Sequence, residues 1–331
     1  MTVTSVSIYL GSKCNANCQY CHREATLDEF FNYTKLFEKI DQISSKIRIH
    51  FFGGEPLLYM ASIRAIVEHY PEATYRITTN GILLPKYQEY LSTHNFEIVI
   101  SYDAAPKGND LRHVQIPLMD LSSCHNVGIS STLYHGNTDL SQMERQLRKL
   151  GKKLNHPLTL YPHIMHTTSE ANDSFSLTKE DYDSIIQQWT SRVKRTINLY
   201  EKYSVLQLQN SGYLYFFMCR ENLSFGETHC VSSTRRKFDM AGNEWDCLYI
   251  RDTKIEDSVS ALKALSSTCQ DCDVYKQCGG ACVKSKRHDL ECYYYKSMFS
   301  WWSTFYAEHK DTIDNLGGPL FGEAYLSLPN Q

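Results

Sequence analysis

The sequence predicts an α/β chain, in which a parallel sheet with helical crossovers is followed by an irregular segment organised by cysteines. Three observations carry that prediction. Short β-rich runs alternate with amphipathic stretches long enough to cross back over a sheet. That rhythm stops near residue 204. Of twelve cysteines, seven then fall between Cys230 and Cys292 with little regular periodicity. At 331 residues and 42% apolar, the chain can bury a full core without disulfide staples. A formal charge of −3 argues against a sequence-blind grip on nucleic acid or anionic membrane.

In order along the chain, strands are expected over 3–10, 47–52, 74–79, 96–102, 127–134 and 158–164, with helices over 33–44, 60–68, 85–92 and 140–154. Pro117 interrupts the short span between the fourth and fifth strands, so that crossover should be short or irregular, which counts against a carboxylate contact from Arg112. The clearest helix runs over 179–202, opened by Thr178 with Asp181 three residues on. Residues 204–217 read as β-rich. Trp301 and Trp302 belong to a C-terminal helix that packs the second part of the chain onto the first, and Gly317-Gly318-Pro319 reads as a loop ending.

The first ten residues lack the basic start and apolar run of an export signal, and no stretch approaches the roughly 20 apolar residues of a membrane span. The expectation is a cytoplasmic protein, where thiols stay reduced and clustered cysteines mean metal ligands more often than disulfides.

Cys14, Cys18 and Cys21 follow the first strand immediately. Three thiolates in one short loop can wrap one face of an iron-sulfur cube and leave its fourth iron open. The alternative is structural zinc, which closes with a fourth Cys or His; His22, adjacent to Cys21, is an awkward fourth ligand. The loop, with Tyr20 as the aromatic before its last cysteine, resembles that of the radical S-adenosylmethionine (radical SAM) superfamily. His50-Phe-Phe-Gly53-Gly54-Glu55-Pro56 is similar to the family's Gly-Gly-Glu-Pro motif, and paired glycines there allow close backbone approach. The resemblance implies a partial (β/α)6 TIM-like barrel over 1–203. It also implies a [4Fe-4S] cluster on Cys14, Cys18 and Cys21 whose open iron binds S-adenosylmethionine, with the methionyl amino group received by Gly53 to Pro56. Weaker marks at strand ends are Thr78, Asn80, Ser101, Asp103 and Ser130, of which Ser101 and Asp103 are expected near the ribose and Ser130 near the adenine.

Downstream, Cys230, Cys247, Cys269, Cys272, Cys278, Cys282 and Cys292 resemble a complete SPASM domain, here an irregular cysteine-rich domain over 219–295. A bridge over 204–218 precedes it, and a helix and tail over 296–331 follow. The resemblance implies two auxiliary [4Fe-4S] clusters, making three in all. Cys269, Cys272, Cys278 and Cys292 would hold the outer one, and Cys230, Cys247 and Cys282 the inner. Cys219 is the candidate for the last inner ligand, and an open inner cluster is the alternative. A pair of zinc ribbons serving as an interaction surface is the rival from another class.

Cys124 is left over, as a buried hydrophobe or as the hydrogen donor of a peptide epimerase. His163 and His166 are three apart and face opposite sides of an extended strand, so one can face the barrel mouth but both cannot share a metal. The resemblance implies an enzyme that draws hydrogen from a peptide or protein, with cross-linking of a ribosomal peptide ahead of epimerisation or side-chain dehydrogenation of the sulfatase-maturase type. It also implies an electron donor such as flavodoxin or ferredoxin. Because Cys14 comes so early, the expectation is either that a separate protein recognises the leader or that the substrate is a short peptide without one.

Overall fold

Seven strands form in the computed structural model: β1 (Ser5–Tyr9), β2 (Arg48–Phe52), β3 (Thr74–Thr79), β4 (Glu97–Ser101), β5 (Asn126–Leu133), β6 (Thr159–Ile164) and β7 (Arg235–Asp239). All are parallel, in the order β6-β5-β4-β3-β2-β1-β7. The structure describes residues 5–21, 31–43, 47–106, 108–124, 126–168, 170–204, 211–218, 234–245, 269–280, 282 and 285–321. Helices α1 (Tyr33–Asp41), α2 (Met60–His69), α3 (Leu84–Thr93), α4 (Leu140–Leu154) and α5 (Lys179–Tyr203) lie within half a turn or less of their expected bounds, apart from the earlier end of α1. No helix is found among the described residues between β4 and β5, as Pro117 foretold.

The strands alternate because the sheet has two different faces. Val6, Ile8, Ile49, Phe51, Ile77, Ile98, Ile100 and Ile129 are buried in one core with helix residues such as Leu36, Ile63, Leu91 and Leu147. The intervening residues form a polar inner face, on which His50 Nε2 meets Thr78 Oγ1 at 2.8 Å. An inner face left polar is a place for chemistry, and the C-terminal strand ends that open onto it are where barrels of this kind bind ligands. Local signals fix the helix starts: the Asp139 side chain accepts from Gln142 N at 2.9 Å, and Thr178 and Asp181 form the reciprocal box expected of them.

Three expectations need correction. The bridge is helical where it is described, as α6 (Ser211–Met218), which packs on β6. Its run of Tyr213, Leu214, Phe216 and Phe217 carries no period because the helix is buried nearly all round, and periodicity alone does not separate such a helix from a strand. Gly212 brings the two elements together, since a Cβ there would lie 1.7 Å from the Leu160 carbonyl oxygen.

The second correction is β7, inside the span expected to be wholly cysteine-rich domain. Arg235-Arg236-Lys237-Phe238-Asp239 is too charged to read as a strand. It pairs with β1 because Phe238 enters the core while Asp239 anchors the following turn, accepting from Ala241 N, Asn243 N and Trp245 Nε1.

Third, Gly317 to Pro319 lie within helix α9 (Lys310–Phe321), not a loop. Upstream in that helix, Ile313 and Leu316 are buried, and their packing outweighs the weak helix propensity that follows. Before it come a one-turn helix α7 (Tyr275–Cys278) and the long α8 (His288–Glu308), which packs on α5. Trp302 stacks on Phe217 at 4.6 Å, so the tryptophan pair ties α8 to α6 and, through Trp189, to α5.

Candidate active site

The first cysteine loop leaves the C-terminal end of β1 and is stitched to the turn after β2. Gly54 N donates to Gly11 O and Glu55 N to Lys13 O, each at 2.8 Å, while Lys13 N donates to Tyr59 Oη at 2.9 Å. The paired glycines serve that contact. A Cβ on Gly53 would lie 2.6 Å from Gly11 O, and one on Gly54 would lie 2.2 Å from Lys13 O. The close approach is therefore between two protein loops, which fixes where the three thiols stand.

Glu55 is wholly buried and accepts from Thr79 Oγ1 at 2.7 Å, Asn80 N at 2.8 Å and Leu57 N at 3.1 Å. Burial pushes its carboxyl up, against the pull of those donors. It joins the turn after β2 to the end of β3. Pro56 opens a 3₁₀ helix (Pro56–Tyr59) and is buried.

Asn80 is well placed: its Nδ2 donates to Asn15 Oδ1 at 2.8 Å and lies 3.8 Å from Cys14 Sγ. Thr78 faces His50 on the inner face, and Thr79, not singled out from the sequence, carries the contact to Glu55.

Asp103 ties the first cysteine loop to β5. It is 1% exposed, and its oxygens accept from Tyr20 Oη at 2.6 Å, Arg112 Nε at 3.0 Å and Thr132 N at 3.0 Å. Arg112 reaches Asp103 because the helix-free crossover lets its loop fold back over the cysteines. Burial pushes the Tyr20 phenol well up, keeping it a donor to Asp103. Ser101 closes β4 at the mouth, half-buried. Ser130 Oγ lies 3.4 Å from His163 Nδ1, and Thr132 Oγ1 3.2 Å from His163 Nε2, so His163 is the histidine that faces the mouth.

His166 faces away, to Glu291. That carboxylate is fully buried and takes His166 Nδ1 at 2.9 Å, Ser285 Oγ and Cys282 N, so one side chain holds the end of β6 to the second cysteine group. No sequence signal marked it.

Cys269, Cys272 and Cys292 stand near one another: burial pushes the Cys269 thiol up, and the charges of Cys292 and Cys272 add to it. Cys278 is buried in α7. The assignments of Cys219, Cys230 and Cys247 fall outside the described residues.

All nine described cysteines are free thiols. Among the described residues, no three His, Cys, Asp or Glu side chains form a group that could hold a single metal ion. A loop of three soft thiolates, with Ala16 N 3.4 Å from Cys14 Sγ and a guanidinium beside Cys18, suits an iron-sulfur cube. Cys124 lies at the foot of β5, 4% exposed in the core, at the opposite end of the sheet from Cys14. That location fits a packed hydrophobe and not a hydrogen donor to the mouth.

A parallel partial barrel with this three-thiol loop at the end of β1 defines a class. Part of the sequence is similar to proteins of the radical S-adenosylmethionine superfamily. The radical SAM cyclopropyl synthase TigE of Paramaledivibacter caminithermalis is 31% identical, over 31% of this chain and 27% of that protein. A probable GTP 3′,8-cyclase of Methanothermobacter thermautotrophicus is 34% identical, over 30% of this chain and 35% of that protein. The match thus spans about a third or less of the length of these relatives. No protein-family model matches the chain.

Among solved structures, anSMEcpe with bound AdoMet and a Cp18Cys peptide shares the fold with a TM-score of 0.62 at 14% identity, covering 95% of this chain and 99% of that one. Streptococcus suis SuiB bound to its precursor peptide SuiA gives 0.54 at 15% identity, covering 87% and 74%.

Proposed function

We propose that this chain is a radical SAM enzyme that modifies a peptide or protein, installing a cross-link in a ribosomally made peptide. One observation carries the reading: the thiols of Cys14, Cys18 and Cys21 stand on a loop braced by Gly53, Gly54 and Asn80 at the mouth of the barrel. When bound there, a [4Fe-4S] cluster and S-adenosylmethionine would supply a reductively generated 5′-deoxyadenosyl radical.

The chain's own residues have separable tasks. Cys14, Cys18 and Cys21 ligate, while Glu55 and Asp103 hold the loop. Thr78, Asn80, Ser101, Ser130 and His163 offer hydrogen bonds around the mouth, where a bound substrate must exclude water and stray hydrogen donors. Cys269, Cys272, Cys278 and Cys292 would hold an outer auxiliary cluster. Cys282 would serve an inner one with Cys230, Cys247 and Cys219. A flavodoxin or ferredoxin would donate electrons in the cytoplasm.

Support for a peptide comes from the fold shared with two proteins seen with peptides bound, and support for bond formation from the likeness to a cyclopropyl synthase. A second reading, which the family resemblance implies, is a protein side-chain dehydrogenase. Both reactions remove two hydrogens. In tandem mass spectrometry a cross-link suppresses fragmentation between the joined residues, whereas a new side-chain carbonyl reacts with hydrazine.

Anaerobically purified protein should carry roughly twelve irons if all three cubes are present, and changing Cys14, Cys18 and Cys21 together to Ala should abolish 5′-deoxyadenosine formation. A colourless, zinc-loaded protein, or persistence of that product in the triple variant, defeats the proposal. No helix among the described residues is long and apolar enough to cross a membrane.

A further inference from the structure

Arg112 reaches the first cysteine loop from the helix-free crossover between β4 and β5. Its side chain is only 14% exposed. Nε donates to Asp103 Oδ1 at 3.0 Å, Nη1 lies 3.9 Å from Cys18 Sγ, and the guanidinium carbon stands 5.5 Å from the Tyr20 ring centroid. The segment around it is pinned as well, because Gln19 N donates to Leu111 O at 2.8 Å and Arg112 N to Asp110 Oδ1 at 3.0 Å. The guanidinium cannot swing away without breaking contacts on both sides.

Asp103 fixes the other end of this arrangement, bonded to Tyr20 of the loop and to Thr132 N of β5. A lysine would give one point charge on a flexible stem, whereas the planar fork of arginine addresses the carboxylate and the sulfur together.

We infer that Arg112 is the electrostatic positioning residue of the first cluster: its fixed positive charge against Cys18 raises the cluster's reduction potential and makes the one-electron reduction easier. The inference rests on the proposed function, since it takes Cys18 as a cluster ligand. Its physical basis is general. A thiolate-bound cluster gains one negative charge when a low-potential flavodoxin or ferredoxin reduces it, and a cation held nearby in a partly desolvated site favours that reduced form. Hydrogen bonding to cluster sulfur acts in the same direction. Asp103 opposes the effect from further away, so loss of the guanidinium would leave an uncompensated buried carboxylate beside the loop.

The test is a redox titration of anaerobic holoenzyme followed by electron paramagnetic resonance, monitoring the signal that changes on addition of S-adenosylmethionine so that the auxiliary clusters do not confuse it. Arg112→Met should retain its iron and shift the midpoint to more negative potential, disfavouring reduction by at least about tenfold, or about 59 mV for a one-electron couple. Arg112→Lys should recover part of the shift. An unshifted midpoint in an iron-replete Arg112→Met protein overturns the inference.

If that variant does not hold iron, Arg112→Gln, which keeps a donor for Asp103 without the charge, decides the matter. A wild-type midpoint there overturns the inference, and a negative shift supports it. A wild-type holoenzyme with no signal responsive to S-adenosylmethionine defeats the proposed function itself, a result distinct from an unshifted signal.

Discussion

Gly54→Ala tests how the site is assembled. The added Cβ would stand 2.2 Å from Lys13 O, 2.5 Å from Ser12 O and 2.7 Å from Lys13 C, all backbone atoms that no rotamer change can move. To reach even the 3.0 Å floor of real Cβ contacts, the Lys13 carbonyl must retreat by roughly 0.8 Å. Lys13 precedes Cys14, so the strain falls on the first thiol, and it also threatens the bond from Glu55 N to Lys13 O. Overpacking of this kind costs about 1–3 kcal/mol, and a misplacement approaching 1 Å at a catalytic loop can lower a rate by about 100-fold. The variant should melt several degrees lower and make 5′-deoxyadenosine far more slowly, with iron retention at the first cluster impaired. Thermal denaturation, iron analysis and product chromatography on the same preparation measure all three. A Gly54→Ala protein with wild-type melting, iron and turnover would refute the claim that the glycines exist to let these two loops touch.

Cys124→Ala should keep full turnover and lose only about 1 kcal/mol of stability, since the thiol is a small buried hydrophobe; loss of turnover in a stable, iron-replete variant would revive the hydrogen-donor role. Glu291→Ala leaves His166, Ser285 and Cys282 N without their shared acceptor and should cost about 3 kcal/mol or more in denaturant melts. On the proposed assignment of an outer cluster to the second cysteine group, iron content should fall with the stability. Burial and three nearby arginines lower the His50 imidazole well below its usual range. Because the unfolded chain binds that proton at about 6.5, the contribution of neutral His50 to stability is complete above that pH and is lost as the pH falls below it. Denaturant midpoints should therefore drop more steeply on acidification for the wild type than for a His50→Asn variant; equal slopes would refute this.

Much of this site was legible in the sequence for a simple reason: its parts lie in short contiguous stretches directly after strands. Cys14 to Cys21 and Gly53 to Pro56 each carry their meaning locally, and a period of two or 3.6 located the elements that bear them. The failures have equally physical origins. Arg112 sat in a segment with neither helix nor strand periodicity, so nothing local said where its side chain would go. β7 hid because charged residues are acceptable on a strand whose inner face is polar. α6 hid because a helix buried on nearly every side loses its period.

The sequence by itself determined the alternation of strand and helix, the three-thiol loop after the first strand and the accumulation of cysteines beyond residue 204, since these depend on spacing and residue type alone. Only the tertiary structure decided what Glu55, Asp103, Arg112 and Glu291 do. Each is a buried or nearly buried charge whose role is set by partners that can be far along the chain: Arg112 lies 94 residues from Cys18, and Glu291 lies 125 from His166. A charge removed from water must find such partners, and which ones it finds is settled when the loops pack.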